Sequence, residues 1–153
     1  MRAPTDILGE LFEGAPRFIA RLSDEPTESW AGLLDRAATI ALEMPEAEQV
    51  ELLNAHPRIG ALPGSVSALS FREQGYDRDL GTSELQARLD ALNETYERRF
   101  GFRFVVFVNG RSRSEIADVM ESQLGAERED EKRRALSDVV AIARRRLVDF
   151  GKN

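Results

Sequence analysis

The single histidine of the chain, His56, is the first candidate for chemistry. Imidazole exchanges protons near neutral pH without any tuning by its surroundings. This histidine directly precedes Pro57, and a residue before proline is disfavoured in the helical region, so a helix should end there. One interpretation is an imidazole that projects into a pocket as an acid–base group. The other is a histidine that donates a hydrogen bond to the last carbonyls of its own helix.

A second candidate is the pair Glu73 and Gln74, which ends the segment Ser-Phe-Arg-Glu-Gln at 70–74. A functional role for this pair competes with a structural one. The segment has the form of a capping box, in which Glu73 returns to the backbone N–H of Ser70. The residue pattern leaves both interpretations open.

The third candidate is Arg146, near the end of a helix predicted from about residue 130 to 150. At about 100° per residue, it lies at the edge of the apolar stripe of that helix. A guanidinium that is half covered requires an anionic or carbonyl partner. Alternatively, its aliphatic stem is buried while the charged end reaches water. The stripe consists of Leu136, Val139, Val140, Ala143, Leu147 and Phe150.

The elements that must position these groups are mainly helical. Apolar residues recur at the three-four spacing of amphipathic helices, and proline, glycine and capping residues mark the ends. The pattern predicts an all-α, single-domain bundle of about seven or eight helices over residues 1–153. The predicted helices are 7–12, 29–44, 45–55, 83–100, 112–124 and 130–150. Residues 16–22 fit either a short turn or a helix, 57–69 are a loop, and the capping-box form at Ser70 is compatible with the start of a short helix.

One segment, 102–108, departs from the helical pattern. It is apolar, aromatic and β-branched, and Asn109-Gly110 follows it, which is typical of a strand and a hairpin turn. A partner strand is missing, because residues 111–115 are polar and begin the next helix. We therefore predict a buried extended segment inside a helical protein.

Composition excludes several classes of function. The 153 residues carry a net charge of −6, which disfavours binding to a nucleic-acid backbone, and the run 144–146 of three arginines is too short to change this. The absence of cysteine excludes thiolate catalysis, and a single histidine excludes a zinc site built from several histidines. No apolar run approaches the roughly 18 residues of a membrane span. We expect a cytoplasmic protein that binds neither nucleic acid nor membrane.

Four segments together resemble the motifs of the OHCU decarboxylases, where OHCU is 2-oxo-4-hydroxy-4-carboxy-5-ureidoimidazoline. Residues 52–60 read Leu-Leu-Asn-Ala-His-Pro-Arg-Ile-Gly and are similar to the histidine-proline motif of that family. Residues 70–74 match its S-x-x-E-Q motif, and 92–106 match its L-N-x-x-Y segment, which continues into F-G-F-x-F-V. The pair 146–147 stands where the family has Arg-Leu. The four motifs occur in the family's order, which makes the resemblance specific.

The resemblance implies an all-helical fold, a homodimer, a small-molecule ureidoimidazoline substrate and a reaction without cofactor or metal. It implies that His56 is the catalytic acid–base group, with Glu73 and Arg146 as further catalytic residues. A ureide offers many donors and acceptors, which Glu73 and Gln74 can pair. Arg146 can hold a carboxylate or the oxygen on which charge develops. The implied substrate-binding residues are Pro57, Ser70, Phe71, Arg72, Glu73, Gln74, Phe104, Val105, Val106, Phe107, Val108 and Arg146.

The implied activity is decarboxylation of OHCU to (S)-allantoin during urate degradation. A helical ligand-binding or regulatory module without chemistry is one alternative. A decarboxylase of a related ureido acid is another, because Tyr76 and Asp77 stand where small residues are expected.

Overall fold

The computed structural model describes residues 3–60 and 83–151. Within these ranges the secondary structure is helical, which confirms the all-α prediction. The helices agree with the predicted ones to within a few residues at each end. They are α1 (Thr5–Leu11), α2 (Pro16–Ser23), α3 (Trp30–Glu43), α4 (Glu46–Asn54), α5 (Ser83–Phe100), α6 (Arg113–Gln123) and α7 (Arg128–Asp149).

Local capping chemistry explains where several helices begin. The hydroxyl of Ser29 accepts a hydrogen bond from the backbone N–H of Gly32 at the start of α3. Ser112 and Glu115 form a complete capping box at the start of α6, as the sequence predicts. The short helix predicted at Ser70 and most of the 57–69 loop lie outside the described residues.

Helix α7 is the central element of the packing. It packs most extensively against α3 and also contacts α1 and α4, while α5 and α6 pair with each other. A single cluster of buried apolar side chains runs through these helices and the 102–108 segment. None of the helices in the described part of the chain is both long and apolar enough to cross a membrane.

The segment 102–108 is non-helical and largely buried, as predicted. Asn109 and Gly110 adopt the left-handed φ values of 49° and 79°, and the N–H of Arg111 donates to Val108 O at 3.1 Å. This geometry is that of a tight turn, but a helix follows it instead of a second strand. The Asn-Gly pair therefore predicts the turn correctly, although no hairpin forms here.

The aromatic ring of Tyr96 on α5 fixes the path of the segment through the core. Its centroid lies 6.0 Å from that of Phe102 and 5.1 Å from that of Phe104, both in edge-on arrangements. The ring of Phe100, at 4.6 Å, completes the group. Such arrangements contribute about 0.5–1.5 kcal/mol per pair beyond burial.

We predict that Leu33→Ala, on α3, lowers the free energy of unfolding by about 2–5 kcal/mol, because it leaves a cavity in the core. Leu33 is fully buried, whereas Leu42 on the same helix is 51% exposed. Urea denaturation followed by circular dichroism measures both variants. Leu42→Ala, the matched control, should change stability by less than about 1 kcal/mol. Equal losses in the two variants would contradict the described packing of α3.

Candidate active site

The turn that carries His56 is held from one side by the start of the extended segment. The backbone N–H of Arg103 donates to Asn54 Oδ1 at 2.9 Å. The guanidinium of Arg103 donates to Asn54 O at 2.9 Å and to His56 O at 3.2 Å. Arg103 therefore pairs the last carbonyl of α4 and one carbonyl of the turn that follows it. This contact joins the histidine turn to the 102–108 segment.

Helix α5 holds the same turn from its other end. Asn93 Nδ2 donates to Ile59 O at 2.8 Å, and Gln86 Nε2 donates to Gly60 O at 2.9 Å. Gly60 has a φ of 81°, and a Cβ atom there would lie 3.0 Å from Leu89. Only glycine combines this backbone conformation with so close a helix. Asn93, which belongs to the 92–106 motif, and Gln86, which precedes that motif on α5, thus position the histidine turn.

The imidazole of His56 is 3% exposed and has one assigned hydrogen bond. Its Nδ1 lies 2.9 Å from Leu52 O. Because a carbonyl only accepts, Nδ1 carries the proton, and the neutral ring has its lone pair on Nε2. The buried Nε2 has no hydrogen-bond partner among the described residues. One nitrogen therefore satisfies the helix end, and the other is available as a base, so the two sequence interpretations are compatible.

The surroundings of His56 lower its pKa to about 4. Burial is the main cause, since it disfavours the charged imidazolium. The hydrogen bond to Leu52 O raises the pKa, the positive charge of Arg146 lowers it, and the negative charge of Glu13 raises it. The imidazole is therefore neutral at pH 7. The side chains of His56, Arg146 and Glu13 interact electrostatically as one group.

Arg146 is 1% exposed, and its guanidinium is matched by groups at the end of α1. Nη1 donates to Glu10 O at 2.8 Å and to Leu11 O at 3.4 Å. Nη2 donates to Glu13 Oε1 at 2.7 Å. This is the anionic and carbonyl partnership expected for a covered arginine, and the alternative of a charged end in water is wrong.

Glu13, which supplies the carboxylate, was not identified from the sequence. It lies between α1 and α2 with a φ of 54°, and Gly14 follows with a φ of 74°. A non-glycine residue in this region costs about 1 kcal/mol or more, which the buried ion pair offsets. The available signal was one of the two interpretations of Arg146, in which a covered guanidinium requires an anionic or carbonyl partner. With 27 acidic residues in the chain, however, nothing in the sequence selects the one 133 positions away.

The structure describes some of the remaining predicted site residues but not others. Pro57 follows the imidazole and is half-buried, and the 104–108 segment is buried except for the partly exposed Phe107. The S-x-x-E-Q residues lie outside the described residues, so their relation to His56 stays a prediction. These residues are Ser70, Phe71, Arg72, Glu73 and Gln74.

The site offers a neutral, desolvated base beside a buried ion pair. Such a base can take a proton from a bound hydroxyl or return it to carbon. Over residues 3–60 and 83–151, no group of three histidine, aspartate or glutamate side chains is arranged to hold a metal ion.

We predict a pKa near 4 for the imidazole, measured from its single set of proton resonances in an NMR titration. Because the unfolded pKa is about 6.5, only the unfolded chain takes up the proton as the pH falls from 6.5 towards 4. Stability should therefore fall by about 2 kcal/mol between pH 7 and pH 5 relative to His56→Gln, which lacks this titration. A titration midpoint near 6.5 would contradict a buried, neutral imidazole.

We predict that Glu13→Ala lowers the free energy of unfolding by about 3–5 kcal/mol, because the buried guanidinium of Arg146 loses its carboxylate. Glu13→Gln should cost less, since its amide oxygen can accept the same hydrogen bond. In that variant the pKa of His56 should fall further, because the negative charge that raises it is gone. Chemical denaturation and NMR measure the two effects. Glu10→Ala, at an exposed side chain near the end of α1, is the control; an equal loss there would refute the assignment.

Comparison with known proteins agrees with this reading of the chain. A family model described as OHCU decarboxylase matches residues 2–148. The uric acid degradation bifunctional protein PucL of Bacillus subtilis is 34% identical over 95% of this chain, which spans 30% of that longer protein. The 2-oxo-4-hydroxy-4-carboxy-5-ureidoimidazoline decarboxylase of Halalkalicoccus jeotgali is 33% identical, with 95% of this chain and 83% of the relative covered.

Solved structures show the same fold. A crystal structure of OHCU decarboxylase in the presence of (S)-allantoin superposes with a TM-score of 0.79, at 17% identity, over 97% of this chain and 98% of the other. An (S)-allantoin synthase superposes with a TM-score of 0.68, at 21% identity, over 95% of this chain and 48% of the other. The matched family model and the relatives show that this chain belongs to the OHCU decarboxylase family.

Proposed function

We propose that this chain decarboxylates 2-oxo-4-hydroxy-4-carboxy-5-ureidoimidazoline to (S)-allantoin, within urate degradation. The observation that carries the proposal is the buried, neutral imidazole of His56, whose Nε2 has no hydrogen-bond partner among the described residues. Membership of the family supports the substrate and the reaction type. The protein is then a carboxy-lyase in which His56 is the acid–base catalyst.

The substrate itself supplies the electron sink for decarboxylation. When the bond from ring carbon 4 to the carboxylate breaks, its electron pair forms a double bond between carbons 4 and 5. The electrons of the neighbouring C=N bond move onto nitrogen, which takes a proton from solvent. No separate electron-accepting cofactor is then needed for this step.

His56 acts on the intermediate that remains, which carries a hydroxyl on carbon 4. Since Nδ1 holds its proton against Leu52 O, the lone pair of Nε2 is the group that can accept the hydroxyl proton. Carbon 4 becomes a carbonyl, and carbon 5 receives a proton from the imidazolium. The imidazole returns to its neutral form, and one proton is consumed overall. Delivery from one side gives a single enantiomer of allantoin.

The cost of forming imidazolium in a desolvated site is the main obstacle to this step. The low pKa of His56 disfavours the charged form, so a nearby anion has to compensate. Glu13 already acts in that direction, and we propose that Glu73 adds to it when substrate is bound. A low pKa also makes the imidazolium a strong acid, which favours proton return to carbon.

The other predicted contacts complete the proposed site. Glu73 and Gln74 pair the ureido N–H and carbonyl groups, and Ser70, Phe71, Arg72 and Pro57 contact the substrate. The guanidinium of Arg146 is held by Glu13, so we propose that it provides a fixed positive charge towards the substrate carboxylate. The backbone of 104–108 lies along the planar ring. A single domain over 1–153, a homodimer, a cytoplasmic location and a reaction without cofactor or metal stay predictions.

We predict that His56→Asn lowers kcat by about 10²–10⁴-fold while the protein stays folded, because the acid–base group is lost. Substrate is generated in the cuvette from urate with urate oxidase and hydroxyisourate hydrolase. Circular dichroism at an allantoin wavelength then follows both the rate and the handedness of the product. Far-ultraviolet circular dichroism of the variant controls for folding.

The same assay separates the competing functions. Rapid appearance of (S)-allantoin with wild type, and slow racemic allantoin with His56→Asn, are the expected results. Full activity in the variant would remove His56 from the mechanism. A racemic trace at the spontaneous rate with the wild-type protein would favour a non-catalytic binding module.

A further inference from the structure

The backbone of the 102–108 segment is held along one edge by side chains instead of a neighbouring strand. Hydrogen bonds occur at every second residue, 103, 105 and 107. The N–H of Arg103 donates to Asn54 Oδ1 (2.9 Å), Val105 O accepts from Arg134 Nη2 (2.8 Å), the N–H of Phe107 donates to Asp138 Oδ2 (3.0 Å), and Phe107 O accepts from Arg111 Nη2 (2.6 Å).

The intervening residues Phe104 and Val106 behave differently. Both are buried, and within the described part of the chain no hydrogen bond involves their backbone N–H or C=O groups. In extended backbone, successive residues direct these groups to opposite edges. Buried backbone groups are almost always paired, so this second edge calls for a partner.

Arg134 and Asp138 match the repeat of an extended chain because they are one helical turn apart on α7. Four helical residues rise about 6 Å. Two residues of a strand advance about 6.6 Å, nearly the same distance. A donor side chain thus meets Val105 O, and an acceptor side chain meets the N–H of Phe107. The face of α7 substitutes for the edge of a strand.

A network of charged side chains holds these two residues in place. Arg134 donates to both carboxylate oxygens of Glu131, at 2.7 and 2.9 Å, and to Asp138 at 2.8 Å. Its guanidinium also lies 5.2 Å from the ring centroid of Phe104. The hydroxyl of Tyr96 donates to Glu131, and burial together with this bond raises the pKa of Tyr96, so it stays protonated. The network therefore places the donor and the acceptor before any ligand arrives.

We propose that Arg134 and Asp138 are positioning residues of the active site: by occupying one edge of the 102–108 segment, they direct the backbone groups of Phe104 and Val106 towards the substrate. This inference rests on the proposed function, because the partner of the second edge is taken to be the ureido substrate. The donors and acceptors of a planar ureide complement an N–H and a C=O on one extended edge.

The test compares Asp138→Ala with Asp138→Asn. Alanine removes the acceptor of the Phe107 N–H, whereas the amide oxygen of asparagine keeps it. A hydrogen bond to a charged group corresponds to about a ten- to hundred-fold effect. In Asp138→Ala we expect amide hydrogen exchange at Phe107 to accelerate by that factor and KM to rise about ten-fold or more, with a smaller change in kcat. Asp138→Asn should restore both values to near wild type.

Asp149→Ala is the matched control. Asp149 lies on the same helix, forms the same i,i+4 pair with an arginine, Arg145, at 3.5 Å, and is exposed. It should leave exchange at Phe107 and KM unchanged. If Asp138→Ala fails to fold, Arg134→Lys provides the second test. Lysine keeps the positive charge but lacks the branched guanidinium that joins Val105, Glu131 and Asp138, so KM should rise in this variant too.

Wild-type KM and wild-type exchange at Phe107 in Asp138→Ala would overturn the inference, as would an unchanged KM in Arg134→Lys. Failure of the proposed function has a different signature. In that case the wild-type protein itself would not accelerate formation of (S)-allantoin. A KM that rises equally in Asp138→Asn would also refute the role, since the acceptor is retained there.

Discussion

The need to pair charges that are buried on the last helix organises this protein. Glu131, Lys132 and Arg146 on α7 are all buried. An uncompensated buried charge costs several kcal/mol, so each of them requires a partner of opposite sign or a set of hydrogen bonds. Lys132 pairs with Glu129 at 3.0 Å and lies 3.3 Å from Glu46 at the start of α4. The folded core therefore tolerates these charges only when other segments are correctly placed.

The same constraint places the parts of the candidate site. Near its start, α7 fixes α5 through the bond from Tyr96 to Glu131. In its middle, it fixes the extended segment through Asp138, and near its end it fixes the α1–α2 turn through Arg146. Helix α7 thus holds three regions that are far apart in the chain. This arrangement gives the precision that a preorganised site needs.

The imidazole of His56 combines a structural hydrogen bond with the proposed acid–base role in one side chain. Nδ1 satisfies a carbonyl at the end of α4, which fixes the ring and its tautomer. Nε2 is left as a desolvated lone pair, and the charges of Arg146 and Glu13 act on it with opposite signs. Burial remains the dominant influence, so the base is neutral at physiological pH. The structural hydrogen bond thus leaves on Nε2 the lone pair that the proposed acid–base role requires.

Local patterns in the amino-acid sequence were enough to predict the helices, the buried 102–108 segment and the candidate role of His56. Periodicity, capping residues and the His-Pro junction act over a few neighbouring residues, so they can be read directly. For Arg146 the pattern offered a partnered guanidinium only as one of two interpretations, and the burial of the side chain in the structure decided between them. Family motifs added the expected substrate, and the S-x-x-E-Q residues stay a prediction because they lie outside the described residues.

The identity of each partner depended on the fold. Glu13 and Asp138 are ordinary acidic residues among 27, and no local pattern distinguishes them. Glu13 is selected because α1 ends beside α7, and Asp138 because one turn of helix matches two residues of extended chain. The packing of the apolar faces decides which charged residues meet, however far apart they lie in the sequence. The sequence thus determines which side chains carry charge, but only the packed molecule determines which of them pair.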